Sequence, residues 1–308
     1  MIKLKCFDDW REYEGASEGN GRSEKIWLCK GNNDIGLFKF PKTISKKNLT
    51  PNSTEFVSEH LAYLIARQIG IPCARIEIGY RDGRIGCMSH SFRKSHQVLI
   101  HGVDFITMEY PNFNVDRLYD EDSGKYYSYE MIYKSMKKVF GINQNDMRYI
   151  ECHLIWMMMF DMLIGNTDRH QQNWGMILDK QKANIRMAPL YDNGSSLCAY
   201  ISEKDVEKFL GNDKMKFESL VNGKSTSRIR IESGVKKEPK HSAVISFLNE
   251  KYHGQCKLIV DEIENSITEK WIVAALEDYP KDILSVQKRK LIFAFLQRKI
   301  ELLREIIS

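Results

Sequence analysis

The chain lacks most signatures of a secreted, zinc-stapled or membrane-inserted protein. Its seven cysteines, an odd number, form no C-x-x-C pair, and its eight histidines form no H-x-x-x-H spacing. Neither a disulfide framework nor a structural zinc site is therefore expected. The amino terminus has no apolar signal-peptide core, and the longest apolar run, 154–164, is interrupted by Asp161 and is too short to span a bilayer. We expect a cytoplasmic protein without a membrane segment, although secretion without a signal peptide is compatible with the same observations.

An excess of charge of one sign is also missing. The 46 basic and 41 acidic residues leave a net charge of +5, and the two signs mostly alternate along the chain, which is typical of solvated helix faces. The most basic stretch, 222–240, has no aromatic side chain on which a base could stack. Direct nucleic-acid binding is therefore not expected, and this stretch is predicted to be an exposed loop.

The hydrophobic pattern changes along the chain from strand-like to helical, which predicts an α+β protein with two lobes. A β-rich lobe is expected over residues 1–92 and a helical lobe over 93–308. The predicted strands are 25–29, 35–40, 76–80, 84–91, 173–178 and 186–192. The predicted helices are 53–69, a nearly all-apolar buried helix at 147–164, and 287–307.

The segment G-N-T-D-R-H-Q-Q-N at 165–173 follows the predicted buried helix and precedes a predicted strand. Asp168 and Asn173 are five residues apart, and Asp192-Asn193-Gly194 comes nineteen residues after Asn173. Phosphoryl transfer needs a carboxylate that orients the attacking hydroxyl and oxygen ligands that hold Mg²⁺. The pattern predicts Asp168 as the catalytic base, with Asn173 and Asp192 as metal ligands. The alternative is that Asp168 caps a turn and Asn173 satisfies loop backbone.

Lys39 lies between two phenylalanines in a predicted strand. It either faces solvent as the polar half of an alternating strand or reaches into the cleft of the two-lobed protein, which is expected near residues 89–105. Glu59 on the predicted helix 53–69 is a candidate partner that would favour the cleft. Glu55, one helical turn earlier, is the competing partner.

Residues 15–25 form a glycine-rich stretch whose backbone could approach phosphates. Gly19, Gly21 and Ser23 are the candidate contacts, although the stretch does not follow G-x-G-x-x-G. The alternative is that the stretch is a flexible loop without a phosphate-binding function. His170 is expected to fix the catalytic loop through hydrogen bonds rather than to act as the base.

G-N-T-D-R-H-x-x-N followed by A-P-L-Y-D at 188–192 resembles the catalytic core of HipA-like serine/threonine kinases, and the resemblance covers most of the chain. D-N-G-S at 192–195 with N-W-G at 173–175 resembles the compact CtkA-like branch of that family. The larger members carry an additional amino-terminal subdomain, and this chain begins almost at the glycine-rich stretch.

The resemblance implies a protein-kinase-like fold that uses ATP and Mg²⁺. It implies Asp168 as the base, Asn173 and Asp192 as metal ligands, Lys39 as the phosphate-binding lysine, and Glu59 as its partner. Asn166 and His170 match positions that support the loop. The implied segment for adenine contact between the lobes is Ser89, His90 and Ser91.

The sequence therefore predicts a kinase that transfers the γ-phosphate of ATP to a serine or threonine hydroxyl of a protein, and that also phosphorylates itself, at Ser17 or second at Ser23. The alternatives are a lipid or small-molecule kinase with the same core, and a pseudokinase that serves as an interaction module. The protein substrate is not identified by the sequence. A toxin–antitoxin role with an antitoxin-type partner is a further hypothesis that rests on the resemblance alone.

Overall fold

In the computed structural model, the amino-terminal part of the chain is rich in β-hairpins. The structure describes residues 1–14, 24–31, 34–42, 53–140 and 144–308. The first strands are β1 Lys5–Cys6, β2 Arg11–Glu12, β3 Lys25–Lys30, β4 Asp34–Lys39, β5 Ile76–Arg81 and β6 Arg84–His90, with helix α1 Glu55–Gln68 between β4 and β5. They form one six-stranded sheet in the order β1-β5-β6-β4-β3-β2, in which only the β1–β5 pair is parallel. Strands β3 to β6 and helix α1 match the predicted strands and helix to within a few residues, whereas β1 and β2 were not predicted.

The remainder of the chain is mostly helical. Its helices are α2 Gly102–Glu109, α3 Tyr129–Phe140, α4 Gln144–Ile164, α5 Glu203–Leu210, α6 Lys214–Glu218, α7 His241–Ser266, α8 Glu269–Glu277 and α9 Val286–Ile307, with a short π-helix at Ser219–Gly223. Its strands are β7 Gln97–His101, β8 Phe113–Asn114, β9 Tyr119–Asp120, β10 Lys125–Tyr126, β11 Gly175–Asp179 and β12 Asn184–Met187. A sheet followed by a helical part confirms the predicted α+β class, whereas the lobe boundary between residues 92 and 93 stays a prediction.

Side chains of β4 alternate between two environments, as the pleat of a strand requires. Phe38 and Phe40 are buried on one face of the sheet in a small aromatic cluster that includes Phe7, whose ring centroid lies 5.5 Å from that of Phe38. Lys39 points to the opposite face, where α1 packs. This alternation removes the solvent-facing alternative for Lys39, because its side chain is only 17% exposed.

Helix α4 lies at the centre of the helical part. Met159, Phe160 and Leu163 have no exposed surface, and α7 and α9 pack against the helix. A helix that is apolar around its whole circumference is stable only when it is buried on all sides. The predicted helix 147–164 is thus confirmed as buried from Leu154 to Ile164, apart from the partly exposed Trp156, whereas Arg148 and Tyr149 near its start are exposed. Its carboxyl end, with the segment that follows, reaches the sheet-bearing part.

A small sheet connects the two parts of the fold. Strand β7, which follows β6 along the chain, pairs antiparallel with β11, and β11 pairs with β12. Sequence patterns predicted the β11–β12 hairpin but not β7. Because β11 begins two residues after Asn173, this pairing fixes where the catalytic loop must end.

The predicted exposed loop at 222–240 is wrong over most of its length. Residues 224–240, the Arg228 segment, fold back on themselves: Ser227 N–H donates to Pro239 O at 2.9 Å, and Thr226 bridges to Lys240. The segment also pairs with the start of α3, where Tyr129 N–H donates to Arg230 O at 2.7 Å. Its buried side chains are Ser225, Ser227, Ile229, Arg230 and Ser233. Hydroxyl and guanidinium groups can be buried when they find partners there, which composition does not reveal.

In the part of the chain that the structure describes, no helix is both long and apolar enough to cross a membrane.

The approach of β11 to β7 generates a stability prediction. A Cβ atom on Gly175 would lie 2.3 Å from the backbone oxygen of Ile100, so Gly175→Ala should lower the free energy of unfolding by about 1–3 kcal/mol through overpacking. Gly254 in α7 has no atom within 4 Å of the corresponding position, so Gly254→Ala should be neutral or stabilising by up to about 1 kcal/mol. Urea unfolding of both variants measures this, and equal stability of Gly175→Ala and wild type would contradict the packing argument.

Candidate active site

Lys39 stands between two carboxylates. Its Nζ atom donates to Glu59 Oε1 at 2.6 Å and to Asp192 Oδ1 at 2.9 Å. Glu59 is buried on α1, whereas Asp192 is nearly half exposed at the base of the cleft. The competing candidate, Glu55, instead pairs with Lys42 at 3.0 Å. The structure therefore brings together Lys39, Glu59 and Asp192, as the sequence predicted.

The charges of this cluster reinforce one another. Desolvation opposes the charge on Lys39, but Asp192 and Glu59 together hold its pKa well above the usual range. Desolvation likewise opposes ionisation of Asp192, yet Lys39 and Lys25 hold the pKa of that carboxyl far below its usual range. Both groups are therefore charged at neutral pH, and a fixed cation lies beside an ionised carboxylate.

The catalytic loop starts with a glycine in a left-handed conformation. Gly165 ends α4 with φ of +67°, a conformation that favours glycine. The buried Asn166 then donates to Asp161 Oδ1 at 2.9 Å and accepts the N–H of Asp168 at 3.2 Å. These contacts turn the chain out of the core and leave Asp168 partly exposed, with 37% of its side chain accessible. The predicted supporting position of Asn166 has this local contact as its physical basis.

Arg169 is the most heavily bonded side chain of the loop. Its fully buried guanidinium donates to Asp161 Oδ1 at 2.7 Å and to Asn193 Oδ1 at 2.6 Å. It also donates to the backbone oxygens of Asn173 and Tyr191, each at 2.8 Å. One side chain thus ties together α4, the end of the catalytic loop and the Asp192 turn.

Asn173 is oriented by the loop itself. Its Nδ2 atom donates to the backbone oxygen of Asp168 at 2.8 Å, which leaves its amide oxygen for a cation. His170 Nδ1 accepts the N–H of Gln172 at 3.2 Å, and burial lowers the pKa of His170 despite the nearby Asp168. His170 therefore makes the kind of loop-stabilising bond that the sequence predicted.

Asn193 connects the sheet-bearing part to the catalytic loop. Its N–H donates to Glu59 Oε2 at 3.0 Å, while its side chain accepts from Arg169. Asp192, immediately before it, has φ of +57°, an uncommon conformation that aspartate tolerates better than most residues. The contacts of Asn193 on both sides explain how that backbone geometry is held.

Backbone N–H groups of the predicted adenine segment already have partners, whereas its contact with adenine stays a prediction. Ser89 and His90 lie inside β6, between β4 and β5. The N–H groups of His90 and Ser91 donate to Arg75 O and Ile35 O at 2.9 and 2.8 Å. These two donors are therefore used by the sheet and are not free for a base, because each N–H group can satisfy only one good acceptor.

Gly19, Gly21 and Ser23, together with Ser17, lie outside the described residues. Just beyond that stretch, Lys25 is directly opposite Lys39 in the β3–β4 register. Like charges in directly opposed positions are unfavourable unless anions lie nearby. Desolvation lowers the pKa of Lys25, and Asp192 opposes that effect. Sequence reasoning did not assign Lys25 to the cleft, because only the strand register reveals that it faces Lys39.

Asp161 was also missed as a functional residue. The available signal was a single carboxylate in an apolar helix, since a buried charge has to be paired. Arg228 had no comparable signal, and it reaches the site only through the fold of its segment.

The Asp161–Arg169 pair generates a second stability prediction. Asp161→Asn should lower the free energy of unfolding by about 3–5 kcal/mol, because it leaves a buried guanidinium without its counter-charge. The exposed Lys257–Asp261 pair at 3.3 Å is the matched control, and Asp261→Asn should cost less than about 1 kcal/mol. Urea unfolding compares the two, and a similar small loss in both would show that the buried pair is not what holds the loop.

Comparison with known proteins agrees with this geometry. Residues 16–271 match the family model of the HipA-like C-terminal domain. The serine/threonine-protein kinase CtkA of Helicobacter pylori strain J99 is 26% identical over 196 residues, which are 63% of this chain and 56% of that kinase. The chain thus matches little more than half the length of this curated relative.

Solved structures have the same fold. A crystal structure of the proinflammatory kinase CtkA of Helicobacter pylori superposes with a TM-score of 0.80 at 18% identity, covering 99% of each chain. HipA of Shewanella oneidensis MR-1, in a complex with HipB and operator DNA, superposes with a TM-score of 0.53 at 12% identity, covering 96% of this chain and 68% of that one. With the family match over most of its length, the chain belongs to the HipA-like C-terminal domain family, as its catalytic-loop motif suggested.

Proposed function

We propose that this protein is a serine/threonine protein kinase that transfers the γ-phosphate of ATP to a protein hydroxyl. The observation that carries the proposal is the position of Lys39 between Glu59 and Asp192. The turn that contains Asp192 is tied through Arg169 to the loop that carries Asp168 and Asn173. A lysine beside a paired glutamate, a carboxylate base and two oxygen ligands is the set of groups that phosphoryl transfer requires.

Each residue has a distinct role in the proposed reaction. Lys39, held by Glu59, binds phosphate oxygens of the nucleotide, and Lys25 adds a second positive charge on the same face of the sheet. Asp168 accepts a hydrogen bond from the acceptor hydroxyl and orients its oxygen towards the γ-phosphorus. Asn166 and Arg169 hold the loop in place, so that little reorganisation is needed when the acceptor arrives.

The donor set fits Mg²⁺ bound together with ATP. Asp192 supplies an ionised carboxylate, and Asn173 supplies an amide oxygen whose orientation is fixed by its bond to Asp168 O. Mg²⁺ is usually held by one or two such protein oxygens together with phosphate oxygens and water. When bound, it neutralises phosphate charge during transfer.

The choice of a protein acceptor rests on the relationship to a serine/threonine-protein kinase of Helicobacter pylori. A lipid or small-molecule acceptor is the competing hypothesis, and a pseudokinase is the competing class. Parallel incubation with a cell lysate, lipid vesicles and amino-sugar or sugar acceptors, each with radiolabelled ATP and Mg²⁺, separates these outcomes. Label in the protein itself would support self-phosphorylation, and peptide mapping would show whether Ser17 or Ser23 carries it.

Partners are proposed only in outline. One solved relative is a HipA in a complex with HipB, and an antitoxin-type partner for this chain remains a hypothesis from that relationship. Co-purification from the native host tests it.

Asp168→Asn should keep the fold and ATP binding but reduce turnover at least about 10²-fold, the effect of losing a positioned base. Release of labelled phosphate and transfer to protein both measure this, with ATP binding as the control for an intact cleft. Near-wild-type turnover would remove Asp168 from the mechanism and would mean that another group acts as the base.

Asp192→Asn should weaken binding of Mg·ATP more than Asn173→Ala, because an anionic oxygen is the stronger ligand for a hard cation. The substitution to asparagine keeps a residue that tolerates the positive φ at this position. Isothermal titration should be run with Mg²⁺ and with EDTA. In EDTA, Asp192→Asn should bind ATP at least as tightly as wild type, because one negative charge next to the phosphates has been removed.

The reverse order of the two variants in Mg²⁺ would count against the ligand assignment. Weakened binding of Asp192→Asn in EDTA as well would indicate that Asp192 orders the cleft rather than holds a cation.

A further inference from the structure

The Arg228 segment is anchored in the core at its base. Ser225 accepts a hydrogen bond from the buried Lys299 at 2.7 Å, and its hydroxyl lies 2.9 Å from Nδ1 of the buried His241. Farther along, the buried Arg230 donates to Lys236 O at 2.8 Å and stacks over the ring of Tyr126 at 5.0 Å. The segment is therefore a fixed part of the fold, and the side chains that leave it have defined positions.

Arg228 leaves the segment on the side of the catalytic loop. Its neighbours Ser227 and Ile229 point inwards and are buried. The Nη1 atom of Arg228 donates to Glu238 Oε1 at 2.9 Å, and its Nε atom lies 3.4 Å from Asp168 Oδ1. The first distance is that of a charge-assisted bond and the second is longer. Glu238 thus anchors the guanidinium, whose other edge is held loosely beside the proposed base.

The other cations of the site have partners already. The guanidinium of Arg169 donates its hydrogen bonds to Asp161, Asn193 and two backbone oxygens. The ammonium of Lys39 pairs with Glu59 and Asp192. Over the described residues, Arg228 is the one lysine or arginine within 4 Å of the Asp168 carboxylate. Its Nη2 group makes no hydrogen bond to another described residue.

Phosphoryl transfer needs positive charge at this point. In the proposed reaction, the acceptor oxygen forms a bond to the γ-phosphorus, the bond from that phosphorus to the β–γ bridging oxygen breaks, the hydroxyl proton passes to Asp168, and ADP leaves. Charge spreads over the equatorial oxygens of the transferred group, and an arginine supplied in the same chain is a known way to stabilise it. A guanidinium suits this task because its planar donors match phosphate geometry.

We propose that Arg228 is a catalytic residue that donates to the transferred phosphoryl group, delivered by the Arg228 segment to the acceptor side of Asp168. The proposal rests on the proposed kinase function. It assigns a role to a stretch of chain that is distant in sequence from the catalytic loop, and it makes Glu238 the positioning residue for Arg228.

The test compares Arg228→Gln, Arg228→Lys and Arg228→Ala in full-length protein with Mg²⁺ and radiolabelled ATP. Release of inorganic phosphate to water and label transfer to protein are both followed. Arg228→Gln should lower kcat about 10²-fold or more, with the Kd for ATP changed less than about 2-fold, because the ground-state nucleotide is held elsewhere. Added guanidinium ion should restore part of the activity of Arg228→Ala, and Arg228→Lys should retain more than Arg228→Gln.

Two further variants serve as comparisons. Lys257→Gln removes the same charge from an exposed pair on α7 and should leave every rate unchanged. Glu238→Gln should lower kcat by less than Arg228→Gln does, since it releases the anchor but keeps the guanidinium.

Several results would overturn the proposal. Equal or faster turnover in Arg228→Gln would mean that Arg228 blocks the Asp168 carboxylate and does not assist the reaction. A rise in acceptor KM with unchanged phosphate release to water would make Arg228 an acceptor-recognition residue. A fall in melting temperature with no rescue by guanidinium would make it structural. Activity in wild type that Asp168→Asn abolishes would keep the kinase function in place under all three outcomes, whereas absence of turnover in wild type would overturn both proposals.

Discussion

The buried guanidinium of Arg169 is the interaction on which the site depends. Taking a charge out of water is costly unless it is paired and its donors are used. Arg169 meets this requirement through acceptors on three pieces of chain: α4, the end of the catalytic loop and the Asp192 turn. Breaking any one of these hydrogen bonds would leave a buried polar group without a partner, so the bonds form or break together with the loop conformation. The catalytic loop is consequently held in shape without a regular element of its own.

From Arg169 the constraint passes to the sheet. Asn193 accepts from Arg169 and donates its N–H to Glu59, and Glu59 accepts from Lys39. Lys39 and the catalytic loop are thus connected by three consecutive hydrogen bonds. A shift of α1 would therefore disturb the Asp192 turn as well as Lys39. This series of hydrogen bonds couples the positions of the two parts of the fold.

A second feature of the molecule is a segment, distant in sequence, that approaches the loop carrying Asp168. Only eight residues separate Gly194 from the start of α5 at Glu203, so little chain follows the Asp192 turn before the fold returns to a helix. The Arg228 segment instead approaches Asp168 from between the π-helix and α7, anchored by Lys299 and His241. Burial lowers the pKa of Lys299 to about 7, so the charge of this anchoring side chain changes with pH near neutrality.

The amino-acid sequence by itself determined the alternating strands of the sheet, the buried helix α4 and the spacing of Asp168, Asn173 and Asp192, because hydrophobic period and motif spacing are local properties. It also indicated Glu59 as a partner for Lys39. Only the tertiary structure decided between Glu59 and Glu55, showed that His90 and Ser91 use their N–H groups in the sheet, and set Lys25 opposite Lys39. Those outcomes depend on strand register and helix packing. The Arg228 segment is the clearest case. Its composition predicts solvent exposure, yet five of its side chains are buried, because its polar groups find partners more than a hundred residues away in α3 or some seventy residues away in α9, which local sequence does not encode.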